Sequence, residues 1–222
     1  AGAMTEGIDY YNEYIDSAPY SKAAWHNLGN MHHRLGKIKD AVSAYDFAIA
    51  IDNNYIRAHH QKAEALLAGE FFAESLEAFR DILSIEPKSA YILCNIGECY
   101  ERLNEYEKAE SMYKESLDLD PEYTDAFIGL GVLADLQSLP TVAVQYFEHA
   151  VTLDSYNIDY KLLLATSLIK VGKPQKAEEH FTHIIERDPK NEDAWEGRID
   201  NLQKIEAHEA ALEALEQGLA IV

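Results

Sequence analysis

Apolar residues along this chain return at i, i+3, i+4 and i+7, as Tyr113 and Leu117 do, and nowhere settle into the alternation of a strand. The runs are cut at regular places. Pro19, Pro87, Pro121 and Pro189 stand at one recurring break, with Asn53 and Ser155 in the same slot elsewhere. A second break falls between them at Gly36, at Gly172 followed by Pro174, and at Ser138 with Pro140. Proline ends one helix and suits the opening of the next. The pattern therefore predicts pairs of helices joined by short turns and no β segment.

The chain comes into register with itself at a shift of 34 residues, without insertion. With Trp25 as the fourth position of a unit, the slot recurs at His59, Leu93, Phe127, Lys161 and Trp195. The eighth position holds Gly29, Ala63, Gly97, Gly131 and Ala165, small residues where helices approach closely, and Ile199 breaks the series. The twentieth carries Gly7, Ala41, Ser75, Ala109, Ala143, Ala177 and Ala211; the twenty-fourth carries Tyr11, Tyr45, Phe79, Tyr113, Phe147, Phe181 and Leu215. Six repeats start at residues 22, 56, 90, 124, 158 and 192, preceded by the second helix of a partial repeat at 5–18, which gives thirteen helices. Hairpins of this kind cannot bury their apolar face alone, so neighbours are expected to stack into one all-α solenoid over residues 5–222. Residues 1–4, Ala-Gly-Ala-Met, read as a vector remnant, and both ends read as cut from a longer protein.

Trp25, Leu28, Gly29, Gly36, Ala41, Tyr45 and Ala48 resemble the tetratricopeptide repeat pattern nearly slot for slot. The resemblance implies a right-handed superhelix whose concave groove is lined by positions 2, 5, 6, 9, 12 and 13 of each first helix. On this sequence those positions give, over the first three repeats, His26, Asn27, Asn30, Arg34, Arg57, His60, Gln61, Glu64, Tyr91, Asn95, Glu98 and Arg102. Amides donate and accept at once and so suit an extended backbone; Asn27, Gln61 and Asn95 resemble the asparagine ladder of the O-linked N-acetylglucosamine transferase repeat domain. Further on, the groove turns apolar through Ile128, Val132, Leu136, Leu162, Leu163 and Ile169, expected as a solvent-facing cluster of the kind that marks a binding site. The clamp that holds acidic chaperone tails needs lysines and an arginine which this chain lacks; its register gives His26, Asn30, Gln61, Tyr91 and Asn95, and only the first asparagine matches.

Charge narrows the partners. The 222 residues carry 19 basic and 39 acidic side chains, a formal −20, which repels nucleic acid and anionic lipid and favours a basic or partly apolar protein segment. No apolar run is long enough to span a bilayer. Cys94 and Cys99 sit on one helix, are expected as free thiols, and fit a reducing, cytoplasmic setting. His26, His32, His33, His59 and His60 crowd the front and are expected to line the groove, partly solvated, rather than to hold a metal; His180 and His183 are expected at the surface. Lys62 and Arg198, at the usually apolar seventh position, are expected to snorkel. No phosphate loop, nucleophile elbow, H-E-x-x-H or Cys-x-x-Cys is present, so neither a catalytic site nor a cofactor is expected. The sequence thus describes an interaction scaffold, with self-assembly through exposed ends or a peptide-sensing regulatory domain as the alternatives.

Overall fold

The structure, a computed structural model, describes residues 2–221, with side chains from Thr5 onward. Ala1 lies outside the described residues, as do the side chains of the other expected remnant residues. Thirteen helices and no strand occur among the described residues. They are α1 (Gly2–Ser17), α2 (Lys22–Arg34), α3 (Ile38–Ile51), α4 (Ile56–Ala68), α5 (Phe72–Ile85), α6 (Ala90–Arg102), α7 (Tyr106–Leu119), α8 (Thr124–Leu136), α9 (Pro140–Leu153), α10 (Ile158–Lys170), α11 (Pro174–Arg187), α12 (Glu192–Lys204) and α13 (His208–Ile221). Even-numbered helices open a repeat and odd-numbered helices close it. The chain forms two compact units, residues 1–112 and 113–222, divided within α7.

The mid-repeat turn is set by one backbone device. Position 15 of all six repeats is left-handed: Gly36, Glu70, Asn104, Ser138, Gly172 and Glu206 have φ between 59° and 72°. The next residue's N–H then reaches back to the carbonyl five positions earlier, as in Lys37 to His32 (2.9 Å), Phe71 to Leu66 (2.9 Å) and Ala207 to Leu202 (2.9 Å). These bonds satisfy carbonyls that a helix end leaves orphaned. Glycine fills the slot in two repeats; the other four hold a side chain in a conformation that L-residues adopt at a cost.

Between repeats the chain is fixed by side chains. Asp52, Asp120, Asp154 and Asp188 each accept an N–H two residues on, at 3.0–3.2 Å. Ser21, Ser89, Asn157 and Asn191 then cap the following helices by accepting the N–H three residues later.

Packing within each unit centres on the aromatic knobs. In the first unit Tyr45 and Phe79 are fully buried, and Tyr45 lies against Gly29 so closely that a Cβ there would stand 2.4 Å from its ring. In the second unit Phe147 packs on Gly131 of its own neighbouring helix α8, whereas Tyr113 and Phe181 pack on Gly129 and Gly197 of the following repeat. The glycines at positions 6 and 8 are thus both sockets for aromatic rings.

Position 4 has a second recurring role. Trp25 donates its ring N–H to the Pro19 carbonyl (2.8 Å) and Trp195 to that of Pro189 (2.9 Å). His59 does the same toward Asn53, 2.9 Å from Nε2, and is buried. Only a donor can meet a carbonyl, so Nε2 carries the hydrogen. This corrects the expectation that His59 belongs to a solvated groove set: it substitutes for tryptophan in the core.

Candidate functional site: the face of the first helices

In the first unit the residues expected to line the groove come together on α2, α4 and α6, and none of them is buried. Arg34, Arg57 and Arg102 are exposed, and the remainder are half-buried. They are tied to one another and to the knobs behind them. Tyr45 donates its hydroxyl to Asn30 Oδ1 (2.9 Å). Gln61 donates to one oxygen of Glu64 (2.7 Å), while Tyr91 donates its hydroxyl to the other. His60 Nε2 lies 2.8 Å from Glu86 Oε1, and its ring is tilted against that of Tyr91. Asn95 turns back on its own helix, donating to the Tyr91 carbonyl (2.8 Å). Arg102 lies over the Phe72 ring and 3.6 Å from Glu70. Beside it a cleft of about 360 Å³ opens among Glu64, Leu67, Glu70, Glu98 and Arg102.

Burial shapes the protonation of this face. The Tyr45 phenol is pushed far above its usual range by desolvation and then by the Glu64 charge, so it remains a donor to Asn30. His26 is held below the ordinary imidazole value, first by burial and further by Arg57, against a hydrogen bond with Asn27. His26 Nε2 is buried without a partner, and neutrality lowers the cost of that burial.

In the second unit the expected apolar residues are arranged differently from the expectation. Ile128, Val132, Leu162, Leu163 and Ile169 are half-buried and packed against the core formed by Val144, Phe147, Leu164, Leu168, Phe181 and Ile184. Only Leu136, 54% exposed, stands out as a free apolar surface from that set. Packing of these side chains against that core is why the solvent-facing cluster contracts.

Other residues also move from the surface inward. Lys62 and Arg198 do lay their stems inward, but their charges meet carboxylates, Asp46 at 2.7 Å and Glu178 at 2.6 Å. His183 is exposed as expected, whereas His180 is half-buried and its pKa is lowered, chiefly by burial and then by Lys161. Lys161 itself is 6% exposed, with Nζ 3.0 Å from His183 Nδ1. Cys94 and Cys99 are both buried thiols. Among the described residues no group of three or more His, Cys, Asp or Glu is arranged to hold a metal ion. No helix is long and apolar enough to cross a membrane, again among the described residues.

Family models described as tetratricopeptide repeat match residues 23–55, 50–122, 100–158 and 162–221. The chain belongs to the tetratricopeptide repeat family. Among relatives, human tetratricopeptide repeat protein 6 is 33% identical over 103 residues, covering 45% of this chain and 20% of that protein. The rice DnaJ protein P58IPK homolog B is 24% identical over 236 residues, covering 87% of this chain and 50% of that one. The chain therefore spans half or less of these relatives. Two solved structures share the fold. The anaphase-promoting complex hetero-tetramer Cut9–Hcn1 superposes with a TM-score of 0.77 at 15% identity, over 99% of this chain and 43% of that one. YrrB, described as a tetratricopeptide repeat protein with an unusual peptide-binding site, gives 0.56 at 16% identity, over 85% and 97%.

Proposed function

We propose that this tetratricopeptide repeat chain is a non-enzymatic interaction scaffold that receives an extended polypeptide along α2, α4 and α6. One observation carries the reading. The half-buried polar row of Asn30, His60, Gln61, Glu64, Tyr91 and Asn95 is held in place by its own hydrogen bonds and opens beside a 360 Å³ cleft. A preorganised row loses little freedom when a peptide binds, and preorganisation is what converts surface complementarity into affinity. Glu64, Glu70 and Glu98 around Arg102 favour basic side chains on the bound segment. Half-buried Ile128 and Leu162 with exposed Leu136 offer apolar anchors on the second unit. The likeness to a peptide-binding relative supports the same reading.

The test is a peptide array followed by calorimetry on the best binder. Replacing Asn27, Gln61 and Asn95 together by Ala should weaken binding by about 0.5 to 1.5 kcal/mol for each hydrogen bond to the peptide backbone that the change removes, with a folded protein by circular dichroism. Unchanged affinity in the folded variant sinks the proposal.

Self-assembly is a second reading with its own observation. On α13, Leu212, Leu215, Leu219 and Ile221 are 62, 41, 76 and 43% exposed, although position 24, where Leu215 stands, is buried in Tyr45, Phe79, Phe147 and Phe181. Sedimentation equilibrium of Leu215→Glu/Leu219→Glu against the parent decides: a concentration-dependent mass that the variant abolishes favours assembly.

A further inference from the structure

The second helices α3 and α5 enclose, with α4 at the base, a cleft of about 460 Å³ that shares no residue with the polar row. Its apolar lining is Val42, Leu66, Ala73 and Ala78, with Leu66 and Ala78 buried at the base and Ala73 exposed at the opening. Its rim is acidic: Asp46, Glu74, Glu77 and Asp81. Lys62 reaches the rim but is engaged with Asp46, and Glu77 is paired with Arg80. Glu74 and Asp81, both exposed, have no cation partner among the described residues.

The repeats supply their own comparison. Positions 18 and 23 are Lys39 and Ala44, Ala73 and Ala78, Glu107 and Met112, Thr141 and Tyr146, Gln175 and His180, and Glu209 and Ala214. Both are alanine only in the repeat that contributes α5. In the corresponding place on α11, His180 is half-buried, and Lys176 and His183 stand where Glu74 and Asp81 stand here. The alanine pair that lines the opening at α3–α5 is thus particular to this repeat.

We propose that this cleft is a second docking surface, separate from the polar row, for a basic amphipathic helix of a partner protein. The volume exceeds the needs of one side chain and falls within the range of ligand-sized sites. A helix lying between α3 and α5 presents two side chains one turn apart, an apolar one to Val42 and Ala73 and a basic one to Glu74 and Asp81. The rim repels an acidic segment. A second copy of this chain, at a formal −20, is disfavoured for the same reason.

Two synthetic helical peptides test this on the full chain, one with Leu and Lys at i, i+4 spacing and one with Glu replacing each Lys. Binding is followed by fluorescence anisotropy and mapped by amide chemical shifts. The Lys peptide should bind, shift Ala73, Ala78 and Asp81, and weaken as salt is raised; the Glu peptide should not bind. Ala73→Trp blocks the cleft from an exposed position, and Glu74→Lys/Asp81→Lys reverses its free charges. Each should lower affinity about tenfold or more. The proposal is overturned if the Lys peptide does not bind, if both folded variants bind it as the parent does, or if the shifts fall on the polar row of α2, α4 and α6. It is equally overturned if the cleft proves to be covered by a second copy, seen as a dimer that Ala73→Trp dissociates.

Discussion

Gly29→Ala should destabilise the protein although it replaces the poorer helix former with the best one. Alanine gains about 0.8–1.0 kcal/mol over glycine inside a helix. The added Cβ, however, would stand 2.4, 2.6 and 3.0 Å from Cε1, Cδ1 and Cζ of Tyr45. That ring has no free volume to retreat into: it is 0% exposed, its hydroxyl is bonded to Asn30, and the His26 ring lies 5.9 Å away. Overpacking a closed core costs typically about 1–3 kcal/mol. Taking the upper part of that range, the net loss is about 1–2 kcal/mol, or roughly 2–8 °C in Tm for a chain of this size. Gly7→Ala is the control, because a Cβ there meets only Met31 Sδ at 3.5 Å. It should gain up to about 1 kcal/mol from propensity alone. Thermal melts followed at the helical circular dichroism band give both numbers. If the two substitutions shift Tm in the same direction, the account of the knob and its socket is wrong. A Gly29→Ala/Tyr45→Phe double variant refines it: with the Asn30 tether removed the ring can shift, so the pair should lose less than the sum of the single changes.

Three further outcomes follow from the same structure. Glu206→Gly relieves a left-handed residue at φ 59° and should raise stability by about 0.5–1 kcal/mol in urea titration, whereas Gly36→Ala should lower it. Lys161→Met removes a buried ammonium whose pKa is lowered by desolvation, with no carboxylate within 4.0 Å among the described residues, and should stabilise by about 1 kcal/mol or more in the same assay. His26, His32 and His180 are all held below 6.5 in the fold, first by burial, so the unfolded chain takes up their protons more readily; stability should be at its full value above about pH 6.5 and fall as pH drops through the folded values. His26→Gln should flatten that fall in melts recorded between pH 7 and 5.5, and an unaltered slope would count against His26 as a contributor.

The helices and their order were legible because a period of 34 leaves few alternatives: each slot is read up to seven times, and a single aberrant residue cannot disguise it. Individual slots were less transparent where one residue type stands in for another. His59 looked like one of a polar cluster, yet its neighbours in the register, Trp25 and Trp195, share with it only a ring N–H placed to reach a carbonyl six residues back. The signal was the slot, not the chemical class. Likewise Glu70, Asn104 and Glu206 occupy the left-handed position that Gly36 and Gly172 announce, but nothing in a glutamate's composition advertises positive φ.

The site divides along the same line. Which residues of α2, α4 and α6 stay accessible followed from their slots, but what they do there depends on how neighbouring repeats meet, and that is a matter of distance rather than pattern. Asn27, Gln61 and Asn95 occupy equivalent positions, yet Gln61 is spent on Glu64 and Asn95 on its own helix, so they do not form a uniform ladder awaiting a backbone. A ligand that uses them must exchange those bonds rather than meet free amides, and exchange returns less than new pairing because the donors were never unsatisfied. The cleft between α3 and α5 differs in this respect: Glu74 and Asp81 are not committed to any cation, and half-buried Val42 and exposed Ala73 leave apolar surface open beside them. If both surfaces are used as proposed, a basic amphipathic helix should therefore gain more per side chain in the cleft than a peptide gains on the polar row. The two surfaces then differ in a measurable way: binding on the polar row should vary little with peptide sequence, and binding in the cleft should depend strongly on it.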